Sequence, residues 1–112
     1  MKYIITFLLL NILSASAYSE EGSFGVETDV ITKGLFPPKL ESVTIATIEK
    51  GSSASKAGIK QGDKVFSIGG CLIPGCSAFK AKKLMQKEKG EQLEFEIVSE
   101  GGEVIKHSLV AE

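Results

Sequence analysis

A chain of 112 residues, 43% apolar and 24% charged, is long enough to build one hydrophobic core and too apolar to be a disordered tail. Its formal net charge is −1 at pH 7, and all its basic residues are Lys, so the bidentate Arg contacts that read phosphates and guanine edges are absent. These properties exclude a general polyanion binder, and we expect no nucleic-acid partner.

The first seventeen residues have the pattern of a secretory signal peptide. One Lys is followed by an apolar run of about ten residues and then by Ala-Ser-Ala at residues 15–17, a small-residue cleavage site. The pattern predicts a signal peptide over residues 1–17, a short N-terminal segment over residues 18–21 and a single domain over residues 22–112. The mature protein would be periplasmic or secreted, with no integral membrane span. An uncleaved anchor is the alternative, although a span needs about 20 apolar residues.

Two β-strands are predicted before residue 50. Residues 26–32 are rich in β-branched side chains, and residues 43–48 alternate between apolar and polar ones. Between them, residues 35–41 include Pro37 and Pro38, which lack the N–H donors that a strand ladder requires. We therefore expect a loop between the two strands.

Glycines divide residues 51–70 into a short helix, a tight turn and a strand. Residues 52–57 are small and compatible with a helix, and Gly58 suits the left-handed position that ends one. The Gly62–Asp63 pair predicts a turn, because Gly accepts positive φ and the Asp side chain can accept from nearby backbone N–H groups. Residues 65–68 are apolar enough to form the strand that follows.

Cys71 and Cys76 are the only two cysteines of the chain. An oxidising compartment would favour their pairing, but Pro74 and Gly75 in the short spacer could hold the sulfurs apart, so the sequence leaves the disulfide open. No metal site is expected, because a structural zinc site takes four ligands and the single histidine, His107, is distant in sequence. We predict no cofactor.

A longer helix and a β-hairpin are predicted for the remaining residues. Ser77 is a good N-cap for a helix that we expect to end near Gly90, where lysines favour the last turn. Residues 93–97 and 104–110 alternate on either side of a Gly-Gly pair, which indicates a hairpin. The predicted order is strand, strand, one-turn helix, strand, short strand, helix, strand, strand.

Residues 51–70 resemble the signature of the PDZ domain family, a Gly-Ser-Pro-Ala run, Ala-Gly-Leu and Gly-Asp before an apolar strand that ends in Asn-Gly. Here Ser53 replaces the proline and Gly69 replaces the asparagine. The order of elements over residues 22–110 is also similar to that of the family. The resemblance implies an α+β fold: a PDZ-like small antiparallel β-sandwich or partly open barrel of five to six strands with one short and one longer helix.

The PDZ family binds an extended peptide as an added strand in the groove between its second strand and second helix. Its carboxylate-binding loop has the pattern x-Φ-Gly-Φ, where Φ is apolar, and residues 23–26 (Ser-Phe-Gly-Val) match it. The N–H groups of the last three would receive a ligand carboxylate. On this side of the groove the expected peptide contacts are Phe24, Gly25, Val26 and Thr28. Residues 33–36 (Lys-Gly-Leu-Phe) are a weaker match, because the two prolines after them exclude a donor-bearing strand.

On the helix side, the resemblance implies peptide contacts at Ser77, Lys80, Ala81 and Leu84. Ala81 and Leu84 would wall an apolar pocket with Phe24 and Val26, which implies a ligand with an apolar C-terminal residue, although apolar positions of this kind also occur in cores. Ser77 lies near the helix position that is a histidine in many PDZ domains and contacts the ligand there. Lys80, one turn along, would favour an acidic ligand residue in place of the one that the histidine binds.

Several readings of the function remain open. Residues 20–21 (Glu-Glu) would repel a carboxylate, which keeps internal peptide segments open as ligands. No catalytic constellation is recognisable, so we expect no enzyme. The leading interpretation is a non-enzymatic adaptor that binds extended or C-terminal segments of exported proteins, with a protease or secretion component as a partner. The alternative is a scaffold or oligomerisation module of an envelope or secretion complex that leaves the groove unused.

Overall fold

The computed structural model describes residues 20–112, so the predicted signal peptide over residues 1–17 lies outside the described residues. The strands are β1 (Val26–Lys33), β2 (Lys39–Ile48), β3 (Lys64–Ile68), β4 (Cys71–Leu72), β5 (Gln92–Val98) and β6 (Val104–Val110). The helices are α1 (Ser53–Ala57) and α2 (Ala78–Met85). No helix within residues 20–112 is long and apolar enough to cross a membrane.

The strands form one antiparallel sheet with the order β1-β2-β3-β5-β6, and β4 pairs with β3 beside this path. β1 and β6 form the two edges of the described sheet and do not pair with each other, so the sheet is not closed. This architecture confirms the predicted α+β, PDZ-like fold. The part of the chain that the structure describes has six strands, a helix of five residues and a longer helix of eight.

A period of two in the strands places one apolar face in the core. In β5 the side chains of Leu93, Phe95 and Ile97 are buried, whereas those between them are more exposed. Within residues 20–112, sixteen buried apolar side chains make up the core, and they extend from Phe24 to Ala111.

The glycine-punctuated unit folds as predicted. The Ser52 hydroxyl caps α1 by accepting from the Ser55 N–H at 3.2 Å, and Gly58 ends the helix with a φ of 87°. Ile59, the next residue, is buried in the core. The Asp63 carboxylate closes the following turn by accepting from the Lys60 N–H at 2.9 Å.

Two element boundaries differ from the sequence-based prediction. β2 begins at Lys39 rather than near Val43, because the chain resumes pairing directly after the prolines, with Lys39 opposite Lys33. α2 ends at Met85 rather than near Gly90. The residues after α2 pair instead with the N-terminal segment, since the Gly22 N–H donates to the Lys87 carbonyl at 2.8 Å.

The structure joins Cys71 and Cys76 in a disulfide, with 2.05 Å between the sulfurs and 5.4 Å between the Cα atoms. The loop that it closes is also tied to the start of β2. The Leu40 N–H donates to the Cys76 carbonyl at 2.7 Å, and the Leu40 carbonyl accepts from the Gly75 N–H at 2.9 Å. These contacts fix the segment that leads into α2.

Candidate peptide-binding site

An apolar cavity of about 230 Å³ lies between β1 and α2. β1 contributes Val26, Thr28 and Val30 to its wall, and α2 contributes Ala78, Ala81, Lys82 and Met85. Its floor is made by core residues of the sheet: Leu40, Val43, Ile45, Val65, Ile68 and Phe95. The cavity lies beside the strand that follows the loop at residues 23–26, as the family resemblance implies, although this strand is the first of the described residues and not the second. An apolar side chain placed there would contact the core.

The strand beside the cavity is an open sheet edge. Within residues 20–112, β1 has a single strand neighbour, β2, and every β1 residue after Val26 is exposed. Val26, Thr28 and Val30 alternate along β1 and share the cavity face, as the strand period requires. An open edge of this kind has unpaired backbone donors and acceptors and is a template for another strand.

The loop before β1 is held in place by the core and by α1. Phe24 is 3% exposed, and its ring packs edge to face against Phe95 with 5.5 Å between the centroids. The Phe24 carbonyl accepts from the Ala54 N–H at 3.2 Å. Phe24 is therefore a core residue that anchors the loop, and its side chain does not line the cavity.

Glycine is required at position 25 for two independent reasons. Its φ is +79°, and a Cβ atom built there would lie 2.1 Å from the Ser52 Cβ. The Gly25 carbonyl accepts from the Glu49 N–H at 2.7 Å, so the loop passes directly into the β1–β2 ladder. The backbone of the loop can therefore follow this path only with glycine.

Sequence reasoning missed the role of Ser23. Its hydroxyl accepts from the Gly25 N–H at 3.1 Å, which occupies one of the donors expected to face a ligand carboxylate. A hydroxyl that accepts one hydrogen bond can still donate another. Ser23 therefore either competes with a carboxylate or extends the donor set by one O–H. A serine two residues before a glycine is the sequence signal for such a turn.

The cavity-lining face of α2 is offset by one residue from the sequence-based prediction. Ala81 lines the cavity as expected, but Ser77, Lys80 and Leu84 do not. Ser77 lies outside the helix as its N-cap, where its hydroxyl accepts from the Lys80 N–H at 3.5 Å.

Leu84 faces Gly69 instead of the cavity, since a Cβ atom at Gly69 would lie 3.3 Å from the Leu84 Cδ2. The residues that take these places in the wall are Ala78, Lys82 and Met85. The apolar spacing of the helix did not reveal this rotation, because Leu84 and Met85 are adjacent and both apolar.

The charges around the groove are distributed unevenly. Among the described residues that line the cavity, Lys82 is the only charged one. Near the loop, Glu20 forms an ion pair with Lys89, and the hydrogen bond and charge of Lys89 hold the pKa of the Glu20 carboxyl below its usual value. Glu20 is thus ionised and paired at neutral pH, which weakens the repulsion of a ligand carboxylate expected from the sequence.

Residues 33–36, the weaker match to the loop pattern, lie at the opposite end of β1 from Gly25. They lead into the β1–β2 turn, and Gly34 has a φ of +87° there. Leu35 and Phe36 are exposed and belong to a second, open cavity of about 590 Å³ beside the turn. This segment does not border the apolar cavity under β1 and α2.

Comparisons with known proteins agree with the fold. A family model described as "PDZ domain" matches residues 13–98. The chain is 30% identical over 74 residues to syntenin-2 of Rattus norvegicus; the match covers 66% of this chain and 22% of the relative, so the chain spans about a fifth of the relative's length.

Two solved structures show the same fold at low identity. The photosystem II D1 C-terminal processing protease matches with a TM-score of 0.66 and 22% identity, over 91% of this chain and 26% of that chain. The PDZ domain of a carboxy-terminal protease from Vibrio cholerae, solved with a peptide, matches with a TM-score of 0.59 and 16% identity, over 85% and 96% of the two chains. Because the family model matches residues 13–98, which is most of the chain, the chain belongs to the PDZ domain family.

Proposed function

We propose that this domain binds an extended peptide segment of an exported protein as an additional strand on the free edge of β1. The observation that carries the proposal is the apolar cavity directly under that edge, between β1 and α2. An added strand gains main-chain hydrogen bonds from the edge, and its alternate side chains gain apolar burial in the cavity. PDZ domains are binding modules, and the PDZ domain from Vibrio cholerae was solved with a peptide.

The register follows from the ladder between β1 and β2. The Gly25 carbonyl is directed to β2, where it accepts from the Glu49 N–H at 2.7 Å. Because backbone groups alternate along an antiparallel strand, Val26, Thr28 and Val30 direct theirs to the open edge. A peptide whose C-terminus lies at Gly25 would therefore run antiparallel to β1, with its preceding residues directed to Lys33.

The cavity wall implies the side chains that the ligand carries. Val26, Ala81 and Met85 would receive an apolar residue at or near the C-terminus of the ligand. Lys82, one residue beyond Ala81 on the same helix, would favour an acidic ligand residue beside the apolar one. This role replaces the one that the sequence assigned to Lys80, which is exposed and outside the wall.

Two classes of ligand fit the loop differently. A free C-terminus requires donors at residues 24–26, and one of them, the Gly25 N–H, already donates to Ser23. An internal extended segment needs no carboxylate site and would leave that bond intact. Either kind of ligand must become ordered as a short strand when it binds, and it buries less than the ~1,600 Å² of a standard interface. We therefore expect weak and reversible binding.

The domain contributes binding rather than catalysis. The processing protease that shares the fold is much longer than this chain, which covers 26% of it. We propose that the protein acts as an exported adaptor, periplasmic or secreted, that presents bound segments to a protease or a secretion component. If the groove is unused, the same domain would be a scaffold in an envelope complex.

An NMR amide-shift titration tests these assignments. The sample is residues 18–112, which contain the whole described core, and the ligands are peptide pools with apolar ends, each with a free or an amidated C-terminus. Shifts in residues 24–32 and 78–85 that vanish on amidation would indicate C-terminal capture. Shifts that persist on amidation would indicate internal segments. The absence of shifts with every pool would contradict peptide binding and favour the scaffold.

A further inference from the structure

The turn between β1 and β2 carries the most exposed large apolar side chains of the described domain. Phe36 is 95% exposed and Leu35 is 83% exposed, whereas no other large apolar side chain in residues 20–112 exceeds the 63% of Phe79. Scattered single apolar residues are normal on a surface, but two adjacent ones at the tip of a hairpin protrude together. Neither side chain can stabilise the fold from this position.

The base of the tip is fixed to the start of α2. The Pro38 carbonyl accepts from the Ala78 N–H at 2.8 Å, and Lys39 forms an antiparallel bridge with Ser77. Pro37 and Pro38 have no N–H groups, so the tip exposes fewer unpaired donors than an ordinary turn would. Because unpaired backbone groups are costly in an apolar medium, this composition lowers the free-energy cost of moving the tip out of water.

Basic side chains surround the apolar tip. Lys33 and Lys39 flank it and line the cavity of about 590 Å³ beside it, where Glu41 is the acidic member of the wall. α2, which starts next to the tip, has the sequence Ala-Phe-Lys-Ala-Lys-Lys-Leu-Met, with three lysines and no acid. A protruding apolar tip flanked by cations is complementary to a partner with a negatively charged surface layer above an apolar interior.

We propose that the β1–β2 tip docks on the surface of an anionic lipid bilayer. Leu35 and Phe36 enter the headgroup region, and Lys33 and Lys39 lie at the level of the lipid phosphates. A lysine near an anionic bilayer raises partitioning by about fivefold, and one short apolar segment alone gives only reversible attachment. Two adjacent side chains this exposed can enter a deformable lipid surface, which needs no preformed pocket to receive them.

The docked orientation bears on the peptide site, and this step rests on the proposed function. A peptide with its C-terminus at Gly25 leaves the groove beside Lys33, at the end of β1 where the tip lies. The upstream part of such a ligand would therefore point to the bilayer. The tip would place the groove to receive tails that emerge from a membrane, and two weak attachments would raise each other's effective concentration.

Tryptophan fluorescence of the full chain tests the docking without any peptide. The chain contains no Trp, so Phe36→Trp supplies a single reporter at the tip, and Ile105→Trp supplies a matched reporter on β6, where Ile105 is 42% exposed. Each is mixed with vesicles of equal parts phosphatidylglycerol and phosphatidylcholine, with and without brominated acyl chains. Any contribution from the apolar residues 1–17 would be common to both reporters.

We expect a blue shift and bromolipid quenching for the tip reporter and neither for the β6 reporter. Adding Leu35→Asp to the tip reporter should lower partitioning about tenfold or more, because a carboxylate is costly in the apolar region. Reversing Lys33 and Lys39 to Glu should lower it further, with unfolding temperatures checked for every variant.

Three results would overturn the proposal: no quenching at the tip, equal quenching of both reporters, or an equal blue shift and quenching of the tip reporter with vesicles of phosphatidylcholine alone. Because no peptide is present, these results are independent of whether the groove binds one.

Discussion

The two edge strands of the sheet, β1 and β6, differ in what covers them. At the β6 edge, the Ser53 hydroxyl of α1 accepts from the Val110 N–H at 3.1 Å, and Leu109 is 2% exposed. At the β1 edge, no strand of the described chain covers the backbone, and the helix that approaches, α2, leaves an apolar cavity in between. Both edges belong to one sheet and differ in what faces them.

This difference indicates that the β6 edge serves the stability of the fold and that the β1 edge serves binding. Sheet edges invite pairing with other chains, so proteins cover them unless pairing is useful. The β6 edge is partly covered by α1, whereas the β1 edge is exposed and bordered by apolar residues. Truncating a side chain within β6 should therefore change stability, and truncating one within β1 should change binding.

The largest expected effect is at Gly25, where the open edge begins. Gly25→Ala would place a Cβ atom 2.1 Å from the Ser52 Cβ and require a strained positive φ of +79°. We expect a loss of about 3 kcal/mol in the free energy of unfolding, from overpacking and backbone strain together. Urea denaturation followed by circular dichroism measures it.

Gly102→Ala is the matched control for Gly25. Gly102 also has positive φ, +83°, but nothing lies within 4 Å of its Cβ position. Strain alone should then cost about 1–2 kcal/mol. Equal losses for the two variants would contradict the close contact with Ser52 as the reason for glycine at position 25.

The next pair compares one apolar side chain from each edge strand. Leu109→Ala in β6 removes a side chain that is 2% exposed and should destabilise the fold by about 2–5 kcal/mol. Val30→Ala in β1 removes one that is 47% exposed and should cost less than about 1 kcal/mol while weakening peptide binding. Thermal unfolding and peptide titration of both variants check this. A large stability loss for Val30→Ala would identify the β1 face as core.

A smaller effect is expected from charge reversal on α2. Lys82→Glu should weaken peptides with an acidic residue near the apolar end by about tenfold, because Lys82 lines the cavity. Lys80→Glu is the control, since Lys80 is exposed and does not line it. Isothermal titration with acidic and neutral peptide pairs measures the preference. If the two variants change it equally, the charge acts at long range rather than within the groove.

The smallest effect concerns the hydrogen bond between α1 and the β6 edge. Ser53→Ala removes the hydroxyl that accepts from the Val110 N–H and should cost about 1 kcal/mol. Hydrogen exchange at Val110 should accelerate while exchange in the centre of β5 changes little. Unchanged exchange at Val110 would show that α1 does not protect this edge. Ser55→Ala, at an exposed position of the same helix, is the control.

Local signals in the sequence determined the arrangement of elements. Gly58, Gly62 and Asp63 occupy the turn positions that their backbone and side-chain chemistry favours, because those preferences act within four residues. The alternation of apolar and polar residues identified both strands of the β5–β6 hairpin, because this pattern is also local. The loop pattern at residues 23–26 also preceded the open strand, as the family resemblance implied.

Only the tertiary structure decided which side chains face the groove. Phe24 is in the core, and the wall of α2 is formed by Lys82 and Met85 rather than Lys80 and Leu84. A helix with apolar residues at adjacent positions has no unique apolar face in its sequence, so its rotation depends on what it packs against. The same holds for the disulfide, because a disulfide needs Cα atoms roughly 4.4–6.8 Å apart. Those of Cys71 and Cys76 are 5.4 Å apart in a loop that hydrogen bonds to Leu40 hold in place. Turn chemistry is local and can be read from the sequence. Which side chains face the groove, and how close two cysteines lie, depend on contacts between residues far apart in the chain.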